Sequence, residues 1–340
     1  MKAVVFHEHG DLSVLRYEEV PEPVIGPEEV LIRVRATSVN FLDIWVRRGL
    51  PGVNLPHISG ADVAGTIERV GERVQGLERG QRVIANPNLS CGKCEYCLAG
   101  EDSLCIHYKI LGEQTDGGYA ELVKVPAKNV IPLPEHVPFE EAAAAPLVFM
   151  TAWRALISRA GLRPGEDVLI LGAGGGVATA AIQLAKLVGA RVFVTASSEE
   201  KLEGAKRLGA DFLINYKEVE FDKEIRRLTN RRGVDVVLDS IGAETWVKSL
   251  GSLAKNGRLV TYGATSGPNP QTEIRLIFWN QLRIIGSTMA STKELHEVLR
   301  LLWAGRLKPV IHRVMPLREA AEAQRLLEER KVFGKVVLVP

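Results

Sequence analysis

Val168-Leu169-Ile170-Leu171-Gly172-Ala173-Gly174-Gly175-Gly176-Val177-Ala178 is the stretch on which the fold turns. Its four leading apolar residues read as a strand buried on both faces, and Ala180-Ala181-Ile182-Gln183-Leu184-Ala185, just beyond the glycines, reads as a helix. Glycine lets the backbone turn tightly and approach a pyrophosphate, whose charge the N-terminus of the following helix favours. The spacing departs from a strict G-x-G-x-x-G, because Val177 stands five after Gly172 and Ala178 takes the last small-residue slot. Alone, such a turn also describes a flexible loop. Its place between strand and helix, at the first crossover of a longer alternation, points to a dinucleotide site.

Outward from this stretch, strands are expected at Val168 to Leu171, Val192 to Ala196, Phe212 to Asn215, Val234 to Asp239, Arg258 to Tyr262 and Arg283 to Gly286. Six strands with intervening helices describe a doubly wound parallel sheet. Toward the N-terminus the pattern changes to short alternating strands such as Val30 to Ala36, broken by Pro21, Pro23, Gly26, Pro27, Gly71, Gly76 and Gly80, which reads as a β-rich barrel. After Ser287, helical stretches near Glu294 to Trp303 and Glu319 to Glu329 lead to Gly334-Lys335-Val336-Val337-Leu338-Val339, a terminal strand expected to return to the first domain.

The 340 residues are 46% hydrophobic and 25% charged, enough for two domains with separate cores. The formal charge of +2 comes without runs of one sign, so the expected partner is a small molecule and neither nucleic acid nor a membrane. Met1 to Phe6 reads as a first strand, and no apolar run reaches membrane-span length. The expected location is cytoplasmic.

A carboxylate at the end of the second nucleotide-domain strand binds the ribose 2'-hydroxyl of NAD and repels a 2'-phosphate. Here that slot holds Ala196 or Ser197. Ser197 and Ser198 can donate to a phosphate and Lys201 can neutralise it, although Glu199 and Glu200 oppose that charge; NADP(H) is therefore favoured over NAD(H). Lys201 could equally be a solvated helix-surface lysine. All four cysteines, Cys91, Cys94, Cys97 and Cys105, lie in one C-x2-C-x2-C-x7-C stretch, which suits a closed tetrahedral zinc site with no position for substrate. Unligated thiols or a redox disulfide are the alternatives.

Together with Gly60-Ala61-Asp62-Val63-Ala64-Gly65, Thr151-Ala152-Trp153 and the closing Gly334-Lys335-Val336-Val337-Leu338, these motifs make the chain resemble the medium-chain dehydrogenase/reductase superfamily over nearly its whole length. The resemblance implies an α/β architecture: a GroES-like, β-rich catalytic domain over 1–148 and 289–340, with a zinc lobe near 88–108, and a Rossmann domain over 149–288. It also implies one structural zinc per chain. Where zinc alcohol dehydrogenases of the family hold a catalytic metal, this chain offers Asn40, Ala61 and the apolar Val148-Phe149. Asp43, His57 and Asp62 could form only a makeshift site.

Val39-Asn40-Phe41-Leu42-Asp43 is instead similar to quinone oxidoreductases, which carry an asparagine near the nicotinamide. The same resemblance places Tyr216, in Ile214-Asn215-Tyr216, against the 2'-phosphate of NADPH. The chain departs from those enzymes in keeping the cysteine lobe and in carrying Trp45 where a tyrosine is common. The residues expected to act are Asn40 as a donor near the reacting centre, Asp43 as its polar orienter and Thr151 beside the nicotinamide; each could instead cap or pack locally. Gly172, Ala173, Gly174, Gly175, Gly176 and Val177 would hold the pyrophosphate. Without a metal as Lewis acid, hydrogen-bond donors must stabilise the developing charge, which favours quinones and activated alkenes as acceptors. An alcohol dehydrogenase with an atypical second metal, and an NADPH-binding regulatory protein without turnover, stay open. A homodimer or homotetramer is expected through the edge strand Arg283 to Gly286.

Overall fold

The computed structural model describes residues 1–340, which form two compact units, one of Met1–Val148 with Ser291–Pro340 and one of Phe149–Ala290. The fold is α/β, a β-rich unit and a Rossmann-type parallel-sheet unit.

In the second unit the six strands are Asp167–Ile170, Arg191–Ala196, Phe212–Asn215, Val234–Asp239, Leu253–Thr261 and Arg283–Gly286. All neighbouring pairs are parallel, and numbered along the chain they lie in the order 3-2-1-4-5-6. The order reverses beside Asp167–Ile170, which is where such sheets open a crevice at the carboxyl ends of their strands. This strand is wholly buried because helices cover both faces of the sheet. The fifth strand starts earlier than Arg258, the sequence expectation, since Leu253 already pairs with Val234. Its register then shifts past Asn256, which takes a φ of +61°, so an Asn-Gly pair that reads as a turn lies inside the strand as an irregularity.

The first unit is built on a seven-stranded sheet whose longest strand, Glu29–Ser38, pairs antiparallel with Asp62–Val70, Leu122–Pro126 and the terminal Lys335–Val339. The tail thus returns to this unit. Alternation in Glu29–Ser38 sends Val30, Ile32 and Val34 into a core with Val63, Ile67, Val83 and Val123. A second core gathers Val4, Val39, Tyr119, Val336 and Leu338. Between Glu29–Ser38 and Asp62–Val70 runs the helix Phe41–Gly49, with Arg47 and Arg48 in its last turn, where cations suit the helix dipole. Arg47 is fully buried and donates to the Gln324 side chain (2.8 Å), the Gly10 carbonyl (3.0 Å) and Glu328, tying this helix to the helix Ala320–Glu328. No helix is long and apolar enough to cross a membrane.

Candidate functional site

After strand Asp167–Ile170 the chain turns at Gly172, whose φ of +69° is open to glycine at no steric cost. The turn is pinned to the next strand, since Gly172 N–H donates to Thr195 Oγ1 (3.2 Å) and Ala173 N–H to the Thr195 carbonyl (2.9 Å). Helix Gly176–Val188 then starts from Gly175, which has no side chain to cap it, and its first turn holds no acidic residue. The first amide to reach a carbonyl is that of Thr179, bonded to Gly175 at 2.9 Å. The amides of Gly176, Val177 and Ala178 have no intrahelical acceptor and, with the helix dipole, favour an anion at this point. The residues present therefore fit a dinucleotide pyrophosphate.

At the carboxyl end of the neighbouring strand, Ala196 is buried and Ser197 and Ser198 are half-buried, Ser198 starting the helix Glu199–Arg207. Tyr216 lies alongside, its N–H bonded to the Ala196 carbonyl at 3.2 Å. Lys201 is half-buried, while Glu199 and Glu200 are exposed. The glycine turn, the serine pair and Tyr216 thus share one end of three adjacent strands. Thr151 belongs to the helix Pro146–Trp153 and is buried, with its hydroxyl 3.8 Å from the sulfur of Met289.

In the other unit, the cysteine lobe brings Cys91, Cys94, Cys97 and Cys105 together with all four sulfurs within 4.8 Å of one another. Cys91 and Cys97 are 4.0 Å apart and Cys94 and Cys97 3.5 Å, near the edge of about 3.8 Å that a tetrahedron with zinc–sulfur bonds of about 2.3 Å requires. Backbone amides of Cys91 and His107 donate to the Cys105 sulfur at 3.2 and 3.3 Å. Amides of Cys97 and Ile106 hold the Cys94 thiol down to about 6, whereas burial and the neighbouring Cys94 push Cys97 up to about 11. This donor set fits zinc and leaves no open coordination position.

The third feature is a buried polar cluster around Asn40. Asn40 precedes helix Phe41–Gly49, and its backbone N–H donates to the Asp43 carboxylate at 2.7 Å. The other Asp43 oxygen accepts from Gly60 N–H at 3.1 Å. Gly60 has a φ of +107°, and a Cβ there would stand 2.9 Å from the Tyr119 backbone nitrogen, so only glycine lets this approach occur. Tyr119 completes the set by donating to Asp43 at 3.0 Å. The Asn40 amide nitrogen donates to Asp62 Oδ2 at 2.8 Å, as does the Ser38 hydroxyl, also at 2.8 Å, and Leu147 N–H donates to Asp62 Oδ1 at 2.9 Å. Lys335 closes the cluster from the terminal strand, donating to the Val39 carbonyl (3.0 Å), to Asn40 Oδ1 and to Asp62 Oδ2 (3.3 Å). All three ammonium hydrogens are matched to acceptors.

Desolvation pushes Asp43 up to about 6 despite the Asn40 amide, Tyr119 and Lys335, all of which oppose the rise. A carboxyl whose folded pKa is raised contributes stability that is fully present below its unfolded value near 4 and lost as pH rises through 6. The difference in unfolding free energy between wild type and Asp43→Asn should therefore shrink by about 2 kcal/mol from pH 4 to pH 7. Urea unfolding across that range measures it; a difference that is flat or grows with pH contradicts the assignment.

Residues 26–135 match the family model for the alcohol dehydrogenase GroES-like domain, and residues 176–304 match that for the zinc-binding dehydrogenases. An acryloyl-coenzyme A reductase of Sulfurisphaera tokodaii is 35% identical over the full length of both chains. This chain belongs to the medium-chain dehydrogenase/reductase superfamily. As a member of that superfamily it is an NAD(P)-dependent oxidoreductase. An NAD-dependent alcohol dehydrogenase of the same organism is 37% identical, again over both full lengths. A crystal structure of an NAD-dependent alcohol dehydrogenase shares 50% identity and a TM-score of 0.96, with both chains wholly covered.

In this dehydrogenase/reductase, Asp43, His57 and Asp62 do not converge on one point. His57 turns to the Gly112 carbonyl (3.1 Å) and to Asp116 (3.8 Å), while the two carboxylates face Asn40 and Lys335. Sequence reading brought out Asn40, Asp43 and Asp62 but not Ser38, Tyr119 or Lys335. The available signal for Lys335 was a lone charge inside the apolar run Val332 to Val339, which on burial must find a partner.

Proposed function

We propose that the chain transfers hydride from NADPH to a quinone or to an alkene conjugated with a carbonyl, with no metal at the reacting centre. The observation that carries this is the cluster at Asn40. The positions where metal-dependent relatives ligate zinc hold Asn40, Ala61 and apolar residues, and Asp62 is already paired with the Lys335 ammonium, which repels a second cation. The name of the acryloyl-coenzyme A reductase relative, a reductase of a conjugated acyl group, supports the same acceptor class.

The bound dinucleotide supplies the hydride. The chain's own residues Gly172 to Val177 would hold its pyrophosphate and Thr151 would lie beside its nicotinamide, and the chain would present donors to the acceptor oxygen, where negative charge would develop on reduction. Asn40 is assigned as that donor, and Asp43 orients it through the backbone. The cysteine lobe holds one zinc, which stiffens residues 88–108 and takes no part in the chemistry. The test is oxidation of NADPH by the purified protein with a panel of quinones, enones and enoyl thioesters. Turnover with none of these acceptors, or only with simple ketones and aldehydes assayed alongside them, overturns the reading.

The preference for NADPH rests on the missing carboxylate after Ala196 and on Ser197, Ser198, Lys201 and Tyr216 around it. Ser197→Asp should weaken NADPH at least about tenfold and leave NADH within a few-fold, because only the former brings a phosphate against the new carboxylate. Parallel titrations with the two dinucleotides decide it, and equal losses for both contradict the assignment. We also propose self-association through the free edge of strand Arg283–Gly286, where Ile284 is exposed and Phe278 and Trp279 stand out at 61% and 76% exposure. Ile284→Asp should lower the mass measured by light scattering to a smaller assembly; an unchanged mass rules out this edge.

A further inference from the structure

The amide of Asn40 is held at both ends. Its carbonyl oxygen accepts from the Lys335 ammonium, and its nitrogen donates to Asp62 Oδ2 at 2.8 Å. Flipping the amide would set its N–H groups against the ammonium and its oxygen against the carboxylate, two repulsive contacts in a buried place, so the orientation is locked. The second hydrogen on the same nitrogen meets only the Ser38 carbonyl at 3.5 Å, the longest contact of the cluster. That hydrogen is the one the cluster can redirect to a ligand.

We propose that Lys335 is a positioning residue for the reaction: by donating to the Asn40 carbonyl it fixes this amide and polarises it, so that the loosely held N–H becomes a stronger donor to the acceptor oxygen. The inference rests on the reading that Asn40 faces the acceptor. Its physical basis is cooperativity, since a charge drawn onto the carbonyl end of an amide increases the positive character of its N–H end, and more so where water is excluded. Lys335 is 3% exposed, Asn40 5% and Asp62 0%. Packing alone does not call for an ammonium there, because a buried ion pair can be exchanged for apolar residues of similar volume at little cost. The terminal strand thereby reaches a reacting centre to which its sequence position gives no clue.

The experiment compares wild type with K335R, K335M and the charge-free pair K335M/D62L on a series of aryl vinyl ketones graded in electron demand, at saturating NADPH. For K335M the expected loss in kcat/KM is about tenfold for the most electron-poor acceptor and grows to about a thousandfold for the least activated one, which depends most on donation to its oxygen. The Kd for NADPH should stay within about twofold, and K335R should keep the wild-type slope across the series within about tenfold in rate. Should K335M fail to fold, K335M/D62L is read against D62L alone, because losing Asp62 also frees the Asn40 nitrogen; a steeper dependence in the double variant is expected, and equal slopes overturn the role of Lys335. Equal losses for every acceptor, or a loss located in NADPH binding, overturn the role of Lys335. A wild-type enzyme inert toward the whole series overturns the functional reading itself, so the two failures are distinct.

Discussion

Replacing Gly175 by Asp is expected to leave the fold as stable as before, or more stable by up to about 1 kcal/mol, and to weaken dinucleotide binding by about a hundredfold or more. Stability is kept because Gly175 is the residue before helix Gly176–Val188, with a φ of −77° and ψ of 153° that any residue adopts. A Cβ there meets only the Gly172 carbonyl oxygen, at an ordinary 3.6 Å. Aspartate is a preferred residue at such a position, where its carboxylate accepts from the free first-turn amides and complements the helix dipole. Binding is lost for the same reason. In the proposed site those amides are the ones offered to the pyrophosphate, and a fixed negative charge about 4 Å away opposes it by about 4 kcal/mol per unit charge at an effective dielectric of about 20. Gly175→Asn separates charge from shape, since it can cap as well but carries no charge; its loss should stay near tenfold. Titration calorimetry with NADPH and thermal melts of the three proteins give the answer. Wild-type affinity in Gly175→Asp would mean that the pyrophosphate lies elsewhere.

The second large effect is expected from the cysteine lobe. Changing Cys94 and Cys97 together to Ser removes two of four ligands, and zinc content should fall from about one per chain to near zero. A thiolate site of this type contributes about 10–16 kcal/mol of apparent binding free energy in isolated zinc-binding peptides, comparable with the whole stability of a domain. Apolar packing does little to hold the lobe, for Leu98, Leu104 and Ile106 are exposed. Local opening should not stop at residue 105. Asp102 accepts from the Thr292 amide at 2.8 Å and from its hydroxyl at 2.6 Å, so the lobe satisfies a free amide at the start of helix Thr292–Trp303. Ser291 and Glu294 cap that helix on their own account, which limits the spread to its first turn. Hydrogen exchange should show protection lost over residues 88–108 and reduced about tenfold at Thr292, with the strands of the nucleotide unit unchanged. Retained protection in the lobe of the metal-free variant contradicts a structural role for zinc.

Much of this was legible in the sequence because it is local. The six strands of the nucleotide unit are short apolar runs set off by glycine and polar residues, and their alternation with helices gives a parallel sheet, though not the register shift inside its fifth strand. The four cysteines declare their site by spacing, and the terminal run Val336 to Val339 declares a strand. What could not be read is the partner of each polar residue across the fold. Lys335 meets Asp62 across 273 residues, and Tyr119 meets Asp43 across 76. The first contact follows from the antiparallel pairing of Leu338 with Thr37 and of Ser38 with Asp62, and the second from the bonds of Tyr119 to the Ser59 carbonyl and the Val4 amide, none of which a local pattern encodes. Asn40 shows both sides of this. Its residue type drew attention to it, but the locked orientation of its amide depends on two charges brought in by other strands.

Metal stoichiometry of the active enzyme bears most directly on whether hydride transfer here proceeds without a metal at the acceptor. Zinc should be counted by plasma emission in a preparation whose NADPH-dependent enone reduction has been measured, before and after dialysis against a chelator that spares the lobe. About one zinc per chain, with a rate indifferent to the dialysis, is the expected result. About two zinc ions per chain, with the rate falling in proportion as the second is withdrawn, would contradict it.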